Sequence, residues 1–267
     1  MRKEFCGRYY KCQSDTQTLA VIFAAHGGSR SVQIITDDDT WNFSLCLDRC
    51  RFSDSGFSLD LCENGVSVVG EVRFGPLSPI RYDIMGPFCF VPFMQCRHSV
   101  YSMRHRVDGC IRINRTQYEF REALGYIEGD RGRSFPKEYA WTQCFFGGGS
   151  LMLSVADIPL ARLHFTGVIG IIVLQGKEYR LATYLGARAI KTADNELIVR
   201  QGGYTFSARL LEKRDLPLAA PMRGNMVRTI HESAACRAAY RFEKSGEILL
   251  EFESDRASFE FEYGGKQ

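Results

Sequence analysis

Along most of the chain apolar and polar residues alternate with a period of two, and turn residues recur at intervals of about eight to twelve positions. Such a period places successive side chains on opposite faces of a pleated strand. The pattern therefore predicts antiparallel β structure rather than helices alternating with strands. Asn64-Gly65 is the strongest hairpin signal, because it separates two alternating runs, and a type I′ turn needs positive φ at both central residues. Gly202-Gly203 makes a second such junction between segments 197–200 and 204–208. Toward the end, 248–252 is followed by 258–263, whose Phe259, Phe261 and Tyr263 fall on one face. Three short segments, 136–139, 210–215 and 231–237, hint at helix.

About twenty short strand candidates result, too many for one barrel of roughly eight strands and enough for two. The expectation is an all-β chain of two tandem antiparallel β-barrels, tightly docked, with the boundary between 125 and 140 and domains at 1–133 and 134–267. No Pro-rich or Ser-rich linker separates the halves, and no sequence repeat relates them.

Composition narrows the function classes. Hydrophobic residues make up 45% and charged residues 24%, a balance that supplies a core. The net charge of +3 is too small to argue for nucleic acid, and the basic residues are not interleaved with aromatics as in a single-strand groove. The longest apolar stretches, 19–25 and 168–174, fall far below the roughly 18–20 residues of a membrane-spanning helix. The first residues lack the basic and apolar regions of a secretory signal, so a cytoplasmic protein is expected, with transient membrane contact left open. Ten cysteines are scattered with no C-x-x-C spacing, which argues for reduced thiols and against a metal site.

Two stretches break the alternating texture. In the first, Gly86 to His98, prolines interrupt an aromatic strand, which makes Phe90 and Phe93 candidates for a ligand cavity on an edge or bulged strand; a kinked core strand is the alternative. In the second, Gly125 to Cys144, Glu128 and Asp130 share one face of an extended segment that is flanked by glycines and followed by Arg131 and Arg133. Two nearby carboxyls can differ in protonation, which suits acid catalysis; a salt-bridged turn is the alternative. Ser134-Phe135-Pro136 has the form of a helix cap with proline in the first turn.

The run Tyr126-Ile-Glu-Gly-Asp-Arg-Gly-Arg-Ser-Phe-Pro-Lys-Glu-Tyr-Ala-Trp-Thr-Gln-Cys144 resembles the signature of the tocopherol cyclase family, G-Y-x-E-x-D/N-x-G-x-S-F-P-x-x-W/Y-x-W-x-Q-C/A. The upstream Gly86-to-Cys96 segment and Ser102-Met-Arg-His105 resemble the family's preceding stretch, so the likeness covers about residues 86–144. It implies two lipocalin-like barrels, distantly related to carotenoid hydratases, and closure of a prenylated hydroquinone to a chromanol without cofactor or metal. Both reactions begin by protonating a trisubstituted alkene. An alkene is a very poor base, so the donor must be a carboxylic acid kept neutral in an apolar pocket.

The resemblance assigns that role to Glu128, with Tyr126 as partner, and places Tyr126, Phe135 and Trp141 where aromatic faces can stabilise a cation. His98 and His105 precede the motif far enough for a neighbouring strand to bring one of them beside Glu128. Asp130, next to two arginines, is expected to be ionised, paired and orienting. The implied partner is an apolar small molecule such as a prenylquinol, isoprenoid or lipid. Non-catalytic lipid binding and alkene hydration are the alternatives.

Overall fold

The alternation is realised as strand almost everywhere. The structure, a computed structural model, describes residues 4–264 except 45, 46, 93, 161, 162 and 215. A first antiparallel sheet comprises Phe5–Gln13 (β1), Thr18–His26 (β2), Ser29–Thr36 (β3), Thr40–Phe43 (β4), Arg51–Ser53 (β5), Gly56–Glu63 (β6), Val66–Phe74 (β7), Cys96–Ile113 (β8) and Thr116–Gly132 (β9). A second comprises Tyr139–Phe146 (β10), Gly149–Leu160 (β11), Leu163–Leu174 (β12), Lys177–Ala182 (β13), Arg188–Ala193 (β14), Glu196–Gln201 (β15), Tyr204–Glu212 (β16), Leu216–Met222 (β17), Asn225–Lys244 (β18) and Glu247–Phe261 (β19). Among the described residues there is no α-helix, and none long and apolar enough to cross a membrane.

The strand orders are β4-β3-β2-β1-β9-β8-β7-β6-β5 and β13-β12-β11-β10-β19-β18-β16-β15-β14, with β17 pairing β18. In both, the first strand pairs with the second and with the last, so the meander curls onto itself. The unpaired seam falls between β4 and β5 in one sheet and between β13 and β14 in the other. The chain is thus two lipocalin-like barrels in tandem, each open at one seam among the described residues.

The Asn64-Gly65 turn has φ of 52° and 79°, as a type I′ turn requires, and Gly202-Gly203 joins β15 to β16. Other expectations need correction. The helix hint at 210–215 falls on the end of strand β16 and irregular chain at 213–214, that at 231–237 lies on β18, and 136–139 is an irregular lead into β10. Tertiary pairing overrode weak local propensity there. Segments 248–252 and 258–263 belong largely to one strand, β19. Ser134 caps no helix; its Oγ accepts the Arg223 backbone N–H at 2.8 Å. The Gly86-to-His98 stretch is not one strand: Gly86–Phe90 forms a 3-10 turn, and β8 begins only at Cys96. All nine described cysteines are unpaired thiols, and Cys46 lies outside the described residues.

Apolar side chains form three cores. One fills the first barrel around Tyr10, Val21 and Phe120, and one fills the second around Leu153, Phe206 and Phe242. The third lies between the barrels and includes Tyr9, Tyr126, Tyr139 and Trp141. This sandwich explains β10, where all eight residues are buried: alternate side chains enter the second barrel and the inter-barrel core. Each fully buried large apolar side chain contributes roughly 1.5–3 kcal/mol, against about 0–1 kcal/mol for a surface ion pair. Packing therefore holds the barrels together, and polar contacts set their register. Gln33 exchanges two hydrogen bonds with the Ala219 backbone, at 2.9 and 2.8 Å, and buried Lys11 donates to Gln143 Oε1 at 3.0 Å. Between β7 and β8 the chain crosses to the second barrel, where Arg180 holds the carbonyls of Tyr82 and Asp83 at 3.0 Å each.

Candidate functional site

Three adjacent strands converge at the inter-barrel core. On β9, Tyr126, Glu128 and Asp130 are two residues apart and share a face. Strand β8 pairs His98 with Asp130 and Val100 with Glu128, which sets the imidazole beside both carboxyls. Strand β10 supplies Trp141 from the other barrel.

The contacts follow from that register. Tyr126 donates its hydroxyl to Glu128 Oε2 at 2.6 Å, and Trp141 donates Nε1–H to the same oxygen at 3.1 Å. His98 Nδ1 lies 3.1 Å from Asp130 Oδ1, which also accepts from Cys96 Sγ at 3.4 Å. His98 Nε2 lies 3.2 Å from Glu128 Oε2, within ion-pair distance, but its ring is not turned for a hydrogen bond. The attraction there is charge on charge. Burial works against the imidazolium, yet Glu128 and Asp130 outweigh it and hold the His98 pKa well above its ordinary 6.5. For Tyr126, burial and then the Glu128 charge push the phenol well above 10, so it stays a proton-bearing donor.

This array forms one wall of a cavity between the barrels. The rest of the lining is mostly apolar: Met85, Phe88, Met94, Ile158, Phe165 and Ile169. A second cavity lies on the other side of Glu128, Asp130, Phe135 and Glu260, which border both. Phe135 packs edge-on against Phe5 and Tyr139 at the junction. His98, Glu128 and Asp130 present ligand atoms within 4.8 Å of one another, close enough to meet a cation. The two donors already directed at Glu128 Oε2 mark that oxygen instead as a hydrogen-bond acceptor.

The structure thus brings together Tyr126, Glu128, Asp130, His98, Phe135 and Trp141, and it corrects three expectations. His105 is not in the cluster. It pairs with Gly125, three residues and therefore one face away from Glu128, and it lies under Phe74 inside the first barrel. A Cβ on residue 125 would stand 2.3 Å from His105 Nε2, so only glycine fits there. Burial pulls His105 down to about 4, and its Nδ1 contacts Ser102 Oγ at 2.9 Å. Phe90 is 84% exposed and does not border the cavity; Phe88 and Met94 of the same segment do. Asp130 is paired with His98, not with Arg131 or Arg133. Phe93 lies outside the described residues.

The placement of His105 carries a prediction. His105→Gln should cost about 1–3 kcal/mol of stability through its buried hydrogen bond, but leave turnover of a prenylated hydroquinol within a few-fold. A hundredfold loss of kcat in a folded variant would return His105 to the mechanism.

Two acids, Glu232 buried and Glu260 half-buried, escaped sequence reading. Glu232 accepts from Tyr9 OH at 2.8 Å, and Glu260 accepts from Tyr139 OH at 2.5 Å. Glu232 lies in a segment with helical texture, and Glu260 stands between Phe259 and Phe261, where alternation puts a charge toward solvent. That inference fails on a strand buried from both sides.

Comparison with known proteins adds the fold. Two structures of CghA, one with Sch210972, match with TM-scores of 0.60 at 9% and 10% identity. The matches cover 97% and 99% of this chain and 88% and 89% of those chains. A protein assigned as AttH from Nitrosomonas europaea matches with a TM-score of 0.51 at 10% identity, over 98% of this chain and 93% of that one. No protein-family model and no curated sequence matches the chain. At such low identity the likeness shows the architecture alone: two lipocalin-like barrels spanning nearly the whole chain.

Proposed function

We propose that the protein binds a prenylated quinol, or a similar long apolar ligand with a phenolic head, in the inter-barrel cavity and closes it to a chromanol by acid-initiated cyclisation. The observation that carries this reading is a carboxyl, Glu128, bonded to a phenol and an indole N–H and set beside an imidazolium, on the wall of an apolar chamber. A ligand that is only bound needs shape and apolar surface, whereas buried proton-exchanging groups cost stability and cluster at sites that do chemistry. The resemblance of residues 126–144 to the tocopherol cyclase signature points the same way. The CghA structure with Sch210972 supports a small-molecule ligand in this architecture.

Ring closure adds a proton to an alkene carbon and removes one from a phenol, so no electrons are exchanged. Glu128 exchanges protons at the reacting end, Tyr126 and Trp141 hold its Oε2 by hydrogen bonds with His98 beside it, and the faces of Trp141 and Phe135 stabilise the tertiary cation.

The chain has two tryptophans, Trp41 in the first barrel core and Trp141 in the cavity. Titration with a geranylgeranyl hydroquinol should quench fluorescence saturably, Trp141→Phe should abolish the quench, and mass spectrometry should detect chromanol. Quenching without product would reduce the protein to a carrier, and neither quench nor product would sink the proposal.

A further inference from the structure

Glu232 and Glu260 stand directly opposite each other on β18 and β19, on the face turned to the inter-barrel core. Each accepts one tyrosine hydroxyl, from Tyr9 and Tyr139. The other titratable groups facing the pair are Lys11 and Tyr9 from β1, Glu128 from β9, Tyr139 from β10 and Glu262 just beyond β19. Lys11 pulls on Glu232, but its ammonium is bonded to Gln143 and to the Arg256 carbonyl. Two carboxyls this close in a desolvated place do not both ionise; they share a proton. Burial first, and then the Glu128 charge, raise Glu232 to about 7 against the pull of its Tyr9 hydrogen bond, and burial followed by the Glu232 charge raises Glu260 well above its ordinary range.

Position turns that stored proton toward the ligand. Glu260 borders both cavities, as Glu128 does, but it comes from the other barrel. The junction between the chambers therefore has a carboxyl on each side. Resting on the ring-closure reading above, we propose that Glu260 is the residue that delivers the proton to the alkene, with Glu232 as the partner that shares it, and that Glu128 takes up the phenolic proton.

The step balances. The Glu260 O–H bond breaks as a C–H bond forms at the less substituted alkene carbon, leaving a tertiary cation. The phenol oxygen attacks the cation, its C–O bond forms, and its proton passes to Glu128. The pair is recharged by one proton from solvent as the Glu128 array releases one. Ligands of this site would accordingly carry apolar arms on both sides of the reacting bond, one for each chamber.

Infrared spectra at neutral pH test the proton's location without any substrate. The carbonyl band of a protonated buried carboxyl should be present in the wild type and in Glu128→Gln, persist when only one of Glu232 and Glu260 is replaced by glutamine, since burial still favours the neutral acid, and vanish when both are replaced. A band that survives the double replacement, or vanishes in Glu128→Gln, overturns the proposal. With geranylgeranyl hydroquinol as probe, Glu260→Gln should lose at least about a hundredfold in kcat with KM within a few-fold. Glu232→Gln should keep turnover at low pH and move the alkaline limb of the kcat profile downward, which a merely structural role would not do. Near-wild-type kcat in Glu260→Gln overturns the assignment. A wild type that shows the band but forms no chromanol sinks the ring-closure reading instead and leaves the proton-sharing pair standing.

Discussion

Glu128→Gln is expected to lower turnover of a geranylgeranyl-type hydroquinol by at least about a hundredfold while its binding stays within a few-fold, since proton transfer by a positioned side chain contributes roughly 10²–10⁴. The amide keeps an oxygen that can accept from Tyr126 and Trp141, so the wall of the cavity is preserved. It can neither take up nor release a proton at the reacting end. The loss should therefore appear in kcat, with KM nearly unchanged. Removing the charge also relaxes the hold on His98, whose pKa should fall from its raised value, observable as a shift of its imidazole resonances during titration. Activity that survives the substitution within a few-fold would remove Glu128 from the mechanism.

The second large effect is on stability. Glu232→Gln should stabilise the protein above neutral pH by up to about 3 kcal/mol, because Glu232 moves from 4.5 to about 7 on folding and each pKa unit corresponds to about 1.36 kcal/mol. The raised carboxyl makes the folded state bind more protons than the unfolded state between those values. Wild-type stability from this group is therefore fully present below about 4.5 and lost as pH rises toward 7. Glutamine does not titrate, yet it can still accept from Tyr9. His98 also loses stabilising power as pH rises above 6.5, and His105, pulled down to about 4, gains it between there and 6.5. Both are common to the two proteins and cancel in the difference. Denaturant midpoints measured from acid to mildly alkaline pH should diverge in favour of the variant as pH rises. Parallel curves would show that Glu232 is ionised in the folded state at no cost.

The histidines show where sequence reasoning reached its limit at the site. His98 and His105 are equally plausible companions for Glu128 by distance along the chain. Only the pairing of β8 with β9 separates them, by placing His98 opposite Asp130 and His105 opposite Gly125. Bulges between Val100 and His105 shift that register, and no local residue pattern announces them. The Phe90 expectation fails for a related reason. The segment that carries it leaves the first sheet and is tied down by Arg180 on the other barrel, so its side chains are sorted by a distant contact and not by alternation.

What the sequence determined by itself was whatever depends on neighbours along the chain. Period-two alternation specified strands, Asn64-Gly65 specified a turn through positive φ, and the spacing of Tyr126, Glu128 and Asp130 put three polar groups on one face of β9. The tertiary structure decided what depends on residues far apart in sequence. The common topology of the two barrels has no sequence repeat behind it, because the pairing of first strand with last is a closure property of the whole meander. Docking two barrels buries both faces of β10 and the inner ends of β18 and β19, and only that double burial turns Glu232 and Glu260 from ordinary polar positions into a pair that must share a proton.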